Sequence, residues 1–170
     1  MESAFTVKYK NITQKLTTDI EITYNGNSIQ STALWDTGAT DCCISKQVAN
    51  SLALVPTGRI NIHTPSGTLE TNTYLVDIKL PNDVEINDVR VADSEIGTQQ
   101  IGMLIGMNII SQGDLAVGNH SNVTTFSFRM PSVGVTDYVK QIKTSNIIGK
   151  PHGKGKRKKK KKNNINRLPM

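Results

Sequence analysis

Ala33-Leu34-Trp35-Asp36-Thr37-Gly38-Ala39-Thr40 decides how the rest of this 170-residue chain is read. It follows a β-like approach, Ser28 to Trp35, and precedes the apolar run Cys42-Cys43-Ile44. An acidic residue on a tight Gly turn at the end of a strand is exposed by its backbone and walled by a core, which is how a carboxylate is held for chemistry. Asp-Thr-Gly alone is weak, because Asp and Gly populate ordinary turns. Downstream, Met103-Leu104-Ile105-Gly106-Met107-Asn108-Ile109-Ile110 adds an apolar-apolar-Gly pattern in an apolar setting.

In this order the two stretches resemble the active-site segment and the later apolar-apolar-Gly motif of retropepsin-like aspartic proteases. The resemblance runs from about Leu16 to Phe128. It implies an all-β acid-protease fold with one short helix, closed as a homodimer, and aspartic endopeptidase activity on a peptide or protein substrate. Asp36 is then the catalytic carboxylate, one per protomer. Thr37 cross-bonds the two loops, and Gly38 lets the substrate backbone approach. Substrate contacts fall to Ala39 and Asp41, with Asp41 equally readable as a cap on its own loop. Leu104, Ile105 and Gly106 support the loop from below. The hairpin Ile60–Leu80 occupies the place of the family's flap, with Thr64, Ser66 and Gly67 at its tip, although the tip lacks the several glycines of viral enzymes. Two further departures are Trp35, bulkier than the usual Leu or Val, and Asn108, where many cellular relatives carry Asp. No cofactor and no metal is implied.

One aspartate cannot run such chemistry, since two carboxylates must share a proton. Two-lobed pepsin-type enzymes carry the motif twice, and this chain shows no internal repeat. A symmetric dimer follows, with the two Asp36 side chains meeting on the axis. An open half-barrel left alone would also expose an apolar face and strand edges. Two other function classes stay open beside the protease: a dimerisation or peptide-binding module with little turnover, and a nucleic-acid-associated protein. Asp-x-Gly-x-Thr is also a phosphate signature of actin-like ATPases, but their two lobes need roughly twice this length, and no Gly-rich adenosine loop is present.

The formal charge of +6 conceals a division. Residues 150–170 hold ten of the twenty basic residues and no acidic one, while the other 149 carry ten basic and fourteen acidic groups, a net −4. The Lys154–Lys162 run cannot bury enough apolar surface to offset ordering and reads as a disordered polybasic tail. Such a tail suits non-specific contact with nucleic acid or another polyanion. The domain reading is therefore a protease domain over 1–130, an extension over 131–149 and the tail over 150–170.

Cys42 and Cys43 are the only cysteines and are adjacent, so no disulfide framework exists. They read as small buried apolar residues. With His63, His120 and His152 scattered, no metal-ligand spacing emerges. No signal peptide and no membrane-spanning run are evident. The expectation is a reduced, cytoplasmic protein without a membrane partner. Met1 lies so near the first strand that the chain reads as a freestanding gene product.

Strands are expected over Phe5–Tyr9, Leu16–Tyr24 and Ser28–Trp35, with Asn25-Gly26-Asn27 as a hairpin turn. Ser45 should cap a short helix to about Leu52. The Ile60 hairpin returns to Leu80, Val84–Val91 should carry a bulge near Asn87-Asp88, and strands follow near Leu115–Val117 and Val123–Phe128. Residues 136–144 have helical spacing.

Overall fold

The computed structural model describes residues 2–64, 67–96 and 100–148. The expected tip residue Ser66 and the tail over 150–170, with Lys154–Lys162, lie outside the described residues. The chain divides into a unit ending at Gly134 and a unit beginning at Val135.

The first unit is built on alternation. β2 (Thr17–Tyr24) and β3 (Asn27–Trp35) form a hairpin paired from Thr17–Leu34 to Tyr24–Asn27. Asn25 and Gly26 both take positive φ, 48° and 79°, which the tight turn between right-twisted strands requires. Ile20 and Ile22 point inward, fully buried. β6 (Gly67–Leu80) sends Tyr74, Val76, Ile78 and Leu80 to the same core. β7 (Val84–Ser94) pairs with it, and between the pairs Ile78–Ile86 and Val76–Val89 two residues oppose one. Asn87 and Asp88 are that bulge, with Asp88 at φ 53° and its N–H held by Asp77 Oδ1 at 2.9 Å.

Six strands close a barrel. β3 lies beside β8 (Met103–Ile105), β8 beside β4 (Cys42–Ser45), β4 beside β7, β7 beside β6, and β6 returns to β2 through Glu21–Lys79, Ile22–Ile78 and Thr23–Asp77. Closure is therefore achieved within one chain, which corrects the expectation of an open half-barrel. The case for two copies rests on the carboxylate count instead. Each large apolar side chain buried inside contributes about 1.5–3 kcal/mol.

Ser45 caps α1 (Lys46–Ser51) as expected, accepting from the Val48 N–H at 3.2 Å. A second short helix, α2 (Met107–Ile110), follows β8, so the fold has more than the one short helix expected. Among the described residues, β5 (Gly58–Thr64) pairs with β6 and no other strand. A separate sheet joins β1 (Ser3–Lys8), β10 (Thr125–Met130) and β9 (Asp114–Gly118). Phe5, Phe126 and Phe128 from this sheet surround Trp35, with ring centroids 5.7, 5.0 and 5.0 Å away. A bulky residue before Asp36 is thus matched by a pocket of three phenyl rings.

In the second unit, Asp137 caps α3 (Tyr138–Ile148), accepting from the Lys140 N–H at 3.0 Å. The helix runs past the expected 144 to Ile148, and within it the Thr144 and Ser145 hydroxyls donate to the carbonyls of Lys140 and Gln141.

Candidate active site

Strand order explains why one loop is held so firmly. β3 ends at Trp35 and the chain re-enters as β4 at Cys42, yet the two strands are not neighbours, because β8 fills the gap between them. Residues 36–41 must cross the end of β8. The second sequence motif therefore lies directly under the first.

The loop is fixed by backbone hydrogen bonds. Asp36 donates its N–H to the Ile105 carbonyl at 2.9 Å, Met107 donates to Ala39 at 2.8 Å, and Asn108 donates to Thr40 at 3.0 Å. Within the turn, the Gly38 N–H donates to Asp36 Oδ1 at 2.8 Å. One carboxylate oxygen is thus oriented by the turn it sits on, and Asp36 remains half-buried. Thr37 and Gly38 are exposed. The Thr37 hydroxyl has no hydrogen bond among the described residues.

Gly106 is required by proximity. A Cβ there would lie 2.5 Å from the Asp41 carbonyl oxygen and 3.0 Å from that of Ala39. Ile105 is fully buried and Leu104 half-buried below the loop. The structure thus brings Asp36, Thr37, Gly38, Ala39, Asp41, Leu104, Ile105 and Gly106 to one place. Thr64 and Gly67 stand on a different element, as the last register pair of the β5–β6 hairpin.

Three groups tie this place to the barrel wall. Cys42 donates its thiol to Asn108 Oδ1 at 2.9 Å and accepts from the Gly106 N–H at 3.3 Å. Burial pushes its pKa up to about 12, so it remains a neutral donor. Asn108 Nδ2 donates to the Arg90 carbonyl at 3.2 Å, and Arg90 Nη2 pairs with Asp41 Oδ1 at 3.1 Å. Asp41 therefore has an intrachain partner beside the loop. Cys43, half-buried on the other side of β4, has its pKa raised by burial and by the negative charges of Asp41, Asp36 and Asp93. A thiolate there is disfavoured, and neither cysteine is a poised nucleophile.

Sequence reasoning missed Arg90 and Asp93. Arg90 offers no local signal. Asp93 had one: a carboxylate directly after the buried Val91-Ala92, where only a partnered acid is stable. Tyr74 Oη donates to Asp93 Oδ2 at 3.2 Å, and burial first of all raises the Tyr74 pKa, which keeps the proton on that donor.

Among the described residues no group of three or more His, Cys, Asp or Glu could hold a metal ion. No described helix is long and apolar enough to cross a membrane.

A barrel with a Gly-turn aspartate crossing an apolar-apolar-Gly strand defines a retropepsin-like site, and comparison with known proteins agrees. Residues 20–112 match the model of the family described as "gag-polyprotein putative aspartyl protease". The chain belongs to that family, among the retropepsin-like aspartic proteases. Solved structures similar to it include a retropepsin-like aspartic protease from Rickettsia conorii, at 14% identity and TM-score 0.48, covering 76% of this chain and 96% of that one. The EIAV protease, in complex with the inhibitor HBY-793, has 23% identity and TM-score 0.44, covering 59% and 89%. The simian foamy virus protease has 20% identity and TM-score 0.42, covering 56% and 92%. No curated protein matches.

Proposed function

We propose that the protein is an aspartic endopeptidase whose active unit is a homodimer, with one Asp36 from each protomer. The observation that carries this reading is the Asp36 loop itself, a half-buried carboxylate oriented by the Gly38 N–H and anchored to Ile105. A plain surface turn has no use for that second strand beneath it.

In the dimer the charged member of the pair takes a proton from water, whose oxygen adds to the scissile carbonyl carbon. The protonated member donates to the carbonyl oxygen. Collapse of the tetrahedral adduct, with a proton passed to the leaving nitrogen, breaks the C–N bond. Thr37, exposed and free of intrachain bonds among the described residues, is available to reach the partner loop. Gly38 leaves room for substrate backbone. Ala39 and Asp41 lie along the same loop, and the β5–β6 hairpin, whose last register pair is Thr64 and Gly67, is the element that covers an extended peptide.

Asp36→Asn tests the reading. It keeps an oxygen for the Gly38 N–H, so fold and assembly should persist while peptide cleavage disappears. A folded Asp36→Asn protein that still cleaves peptides would show the reading to be wrong, as would loss of cleavage with a chelator but not with Asp36→Asn.

The charge of residues 150–170 supports a second, separable role in holding nucleic acid or another polyanion. Salt-dependent retention on nucleic acid, lost when that segment is removed, is the result this role requires.

A further inference from the structure

Asp93 stands where the hairpin leaves the barrel. The β6–β7 ladder ends at the pair Thr73–Ala92, and beyond it β6 pairs only with β5. On the other arm, the Thr57 N–H and hydroxyl both donate to the Thr73 carbonyl, at 2.7 and 3.1 Å. Thr57 and Thr73 are thus the last backbone anchors of the hairpin.

One residue past the end of the ladder, Asp93 continues the attachment with its side chain. It is 8% exposed. Its carboxylate accepts from the Thr71 hydroxyl, from the Asn72 N–H at 3.2 Å and from Tyr74 Oη at 3.2 Å. The Thr71 hydroxyl is also 2.8 Å from the Asp93 carbonyl. A cavity of about 310 Å³ borders this cluster. Its two cations are committed elsewhere, Lys46 to Glu95 at 2.5 Å and Arg59 to Glu70 at 3.3 Å. The buried carboxylate is therefore satisfied by the hairpin rather than by an ion pair.

We propose that Asp93 is a positioning residue that latches the β5–β6 hairpin at its root and so sets the angle at which it meets substrate. The proposal rests on the protease reading for its consequence, not for its geometry. Hydrogen bonds to a buried charge hold the first two residues of the free arm, where a bare ladder end would let the whole hairpin swing. Asp93 touches no reacting atom. It acts through Thr71 and Asn72 on substrate capture.

Hydrogen exchange and cleavage kinetics on the full chain separate the possibilities. In Asp93→Ala, which removes the carboxylate's hydrogen bonds from Thr71, Asn72 and Tyr74, amide exchange over 59–63 and 68–72 should rise about tenfold or more, with the barrel strands unchanged. With the best-cleaved member of a fluorogenic peptide library, KM should rise about tenfold and kcat change much less. Asp93→Asn should restore both, because its Oδ1 still accepts from Thr71 and Asn72. Thr71→Val, nearly isosteric, provides the same readout should Asp93→Ala fail to fold. Unchanged exchange at the hairpin in a folded, active variant overturns the latch, and so does a rise spread evenly over the barrel. A wild-type chain that cleaves no library peptide overturns the protease reading alone, since exchange reads the latch without turnover.

Discussion

The Asp36 N–H and the Ile105 carbonyl are joined at 2.9 Å, so the carboxylate loop hangs from a strand made much later in the chain. Local turn chemistry orients one oxygen of Asp36, and this distant strand fixes where the turn stands. Preorganisation of that kind is what an acid–base site needs, since no reorganisation is then required at the moment of reaction.

Activity should depend on an intermediate protonation state of a carboxylate pair. Two such groups a few ångströms apart cannot both ionise cheaply, so the pair titrates in two separated steps that belong to the dyad. The profile of kcat/KM against pH should be a bell centred on the acid side of neutrality. Sedimentation at micromolar concentration should give about twice the 18.6 kDa chain mass. A fully active monomer would contradict the two-chain site.

Gly106→Ala should damage both stability and turnover. The new Cβ meets the Asp41 carbonyl, which is backbone and cannot rotate away. Overpacking of this sort costs about 1–3 kcal/mol. Denaturant titration should reveal that loss, and residual cleavage should fall further than the folded fraction, because the displaced segment carries Asp36.

Cys42 should resist alkylation in the folded protein, being buried with its pKa raised to about 12 from 9.0. The linkage has a definite sign. The folded state holds the thiol proton more tightly than the unfolded chain, so this contribution is intact below pH 9 and is lost as pH rises from 9 toward 12. Melting temperature measured across that range should fall more steeply in wild type than in Cys42→Ser, which keeps a donor for Asn108 but has no thiol. At neutral pH Cys42→Ala should cost about 1–2 kcal/mol through the lost hydrogen bonds, while Cys42→Ser and Cys43→Ser should each retain substantial activity.

Asp114 should govern part of the acid limb. Its carboxylate accepts from Ser132 Oγ at 2.6 Å, from the Val133 N–H at 3.1 Å and from Arg129 Nε at 2.7 Å, and these lower its pKa from 3.8 to about 2. A depressed folded pKa means stability that is present above pH 4 and lost as pH falls toward 2. Thermal melts between pH 4 and 2 should therefore decline less in Asp114→Asn than in wild type.

How much of this was legible in the residues depended on whether the signal was local. The Asn25-Gly26 turn, the Ser45 cap and the bulge at Asn87-Asp88 were readable because each is written in adjacent residues whose φ, ψ or alternation permits little else. The two motifs revealed the loop and its support. Barrel closure was not readable, since the Glu21–Lys79 pairing leaves no mark in either strand. Arg90 was missed for the same reason, and Asp93 although it directly follows the apolar pair Val91-Ala92. Each acquires its role from a partner on another strand, and an isolated Arg or Asp in a sequence reads as solvated.

The ring of Trp35 has a consequence in time. It stands next to Asp36 and packs against Phe126 and Phe128 at 5.0 Å, with Phe5 closing the remaining side. During synthesis the aspartate emerges early and these two phenylalanines late. Until they arrive, the base of the loop has no wall on that side, and the β8 strand that anchors it is itself late. A growing chain thus carries Asp36 through the synthesis of everything up to Phe128 before its loop is walled, so the geometry of the carboxylate is set only once β10 has docked against Trp35.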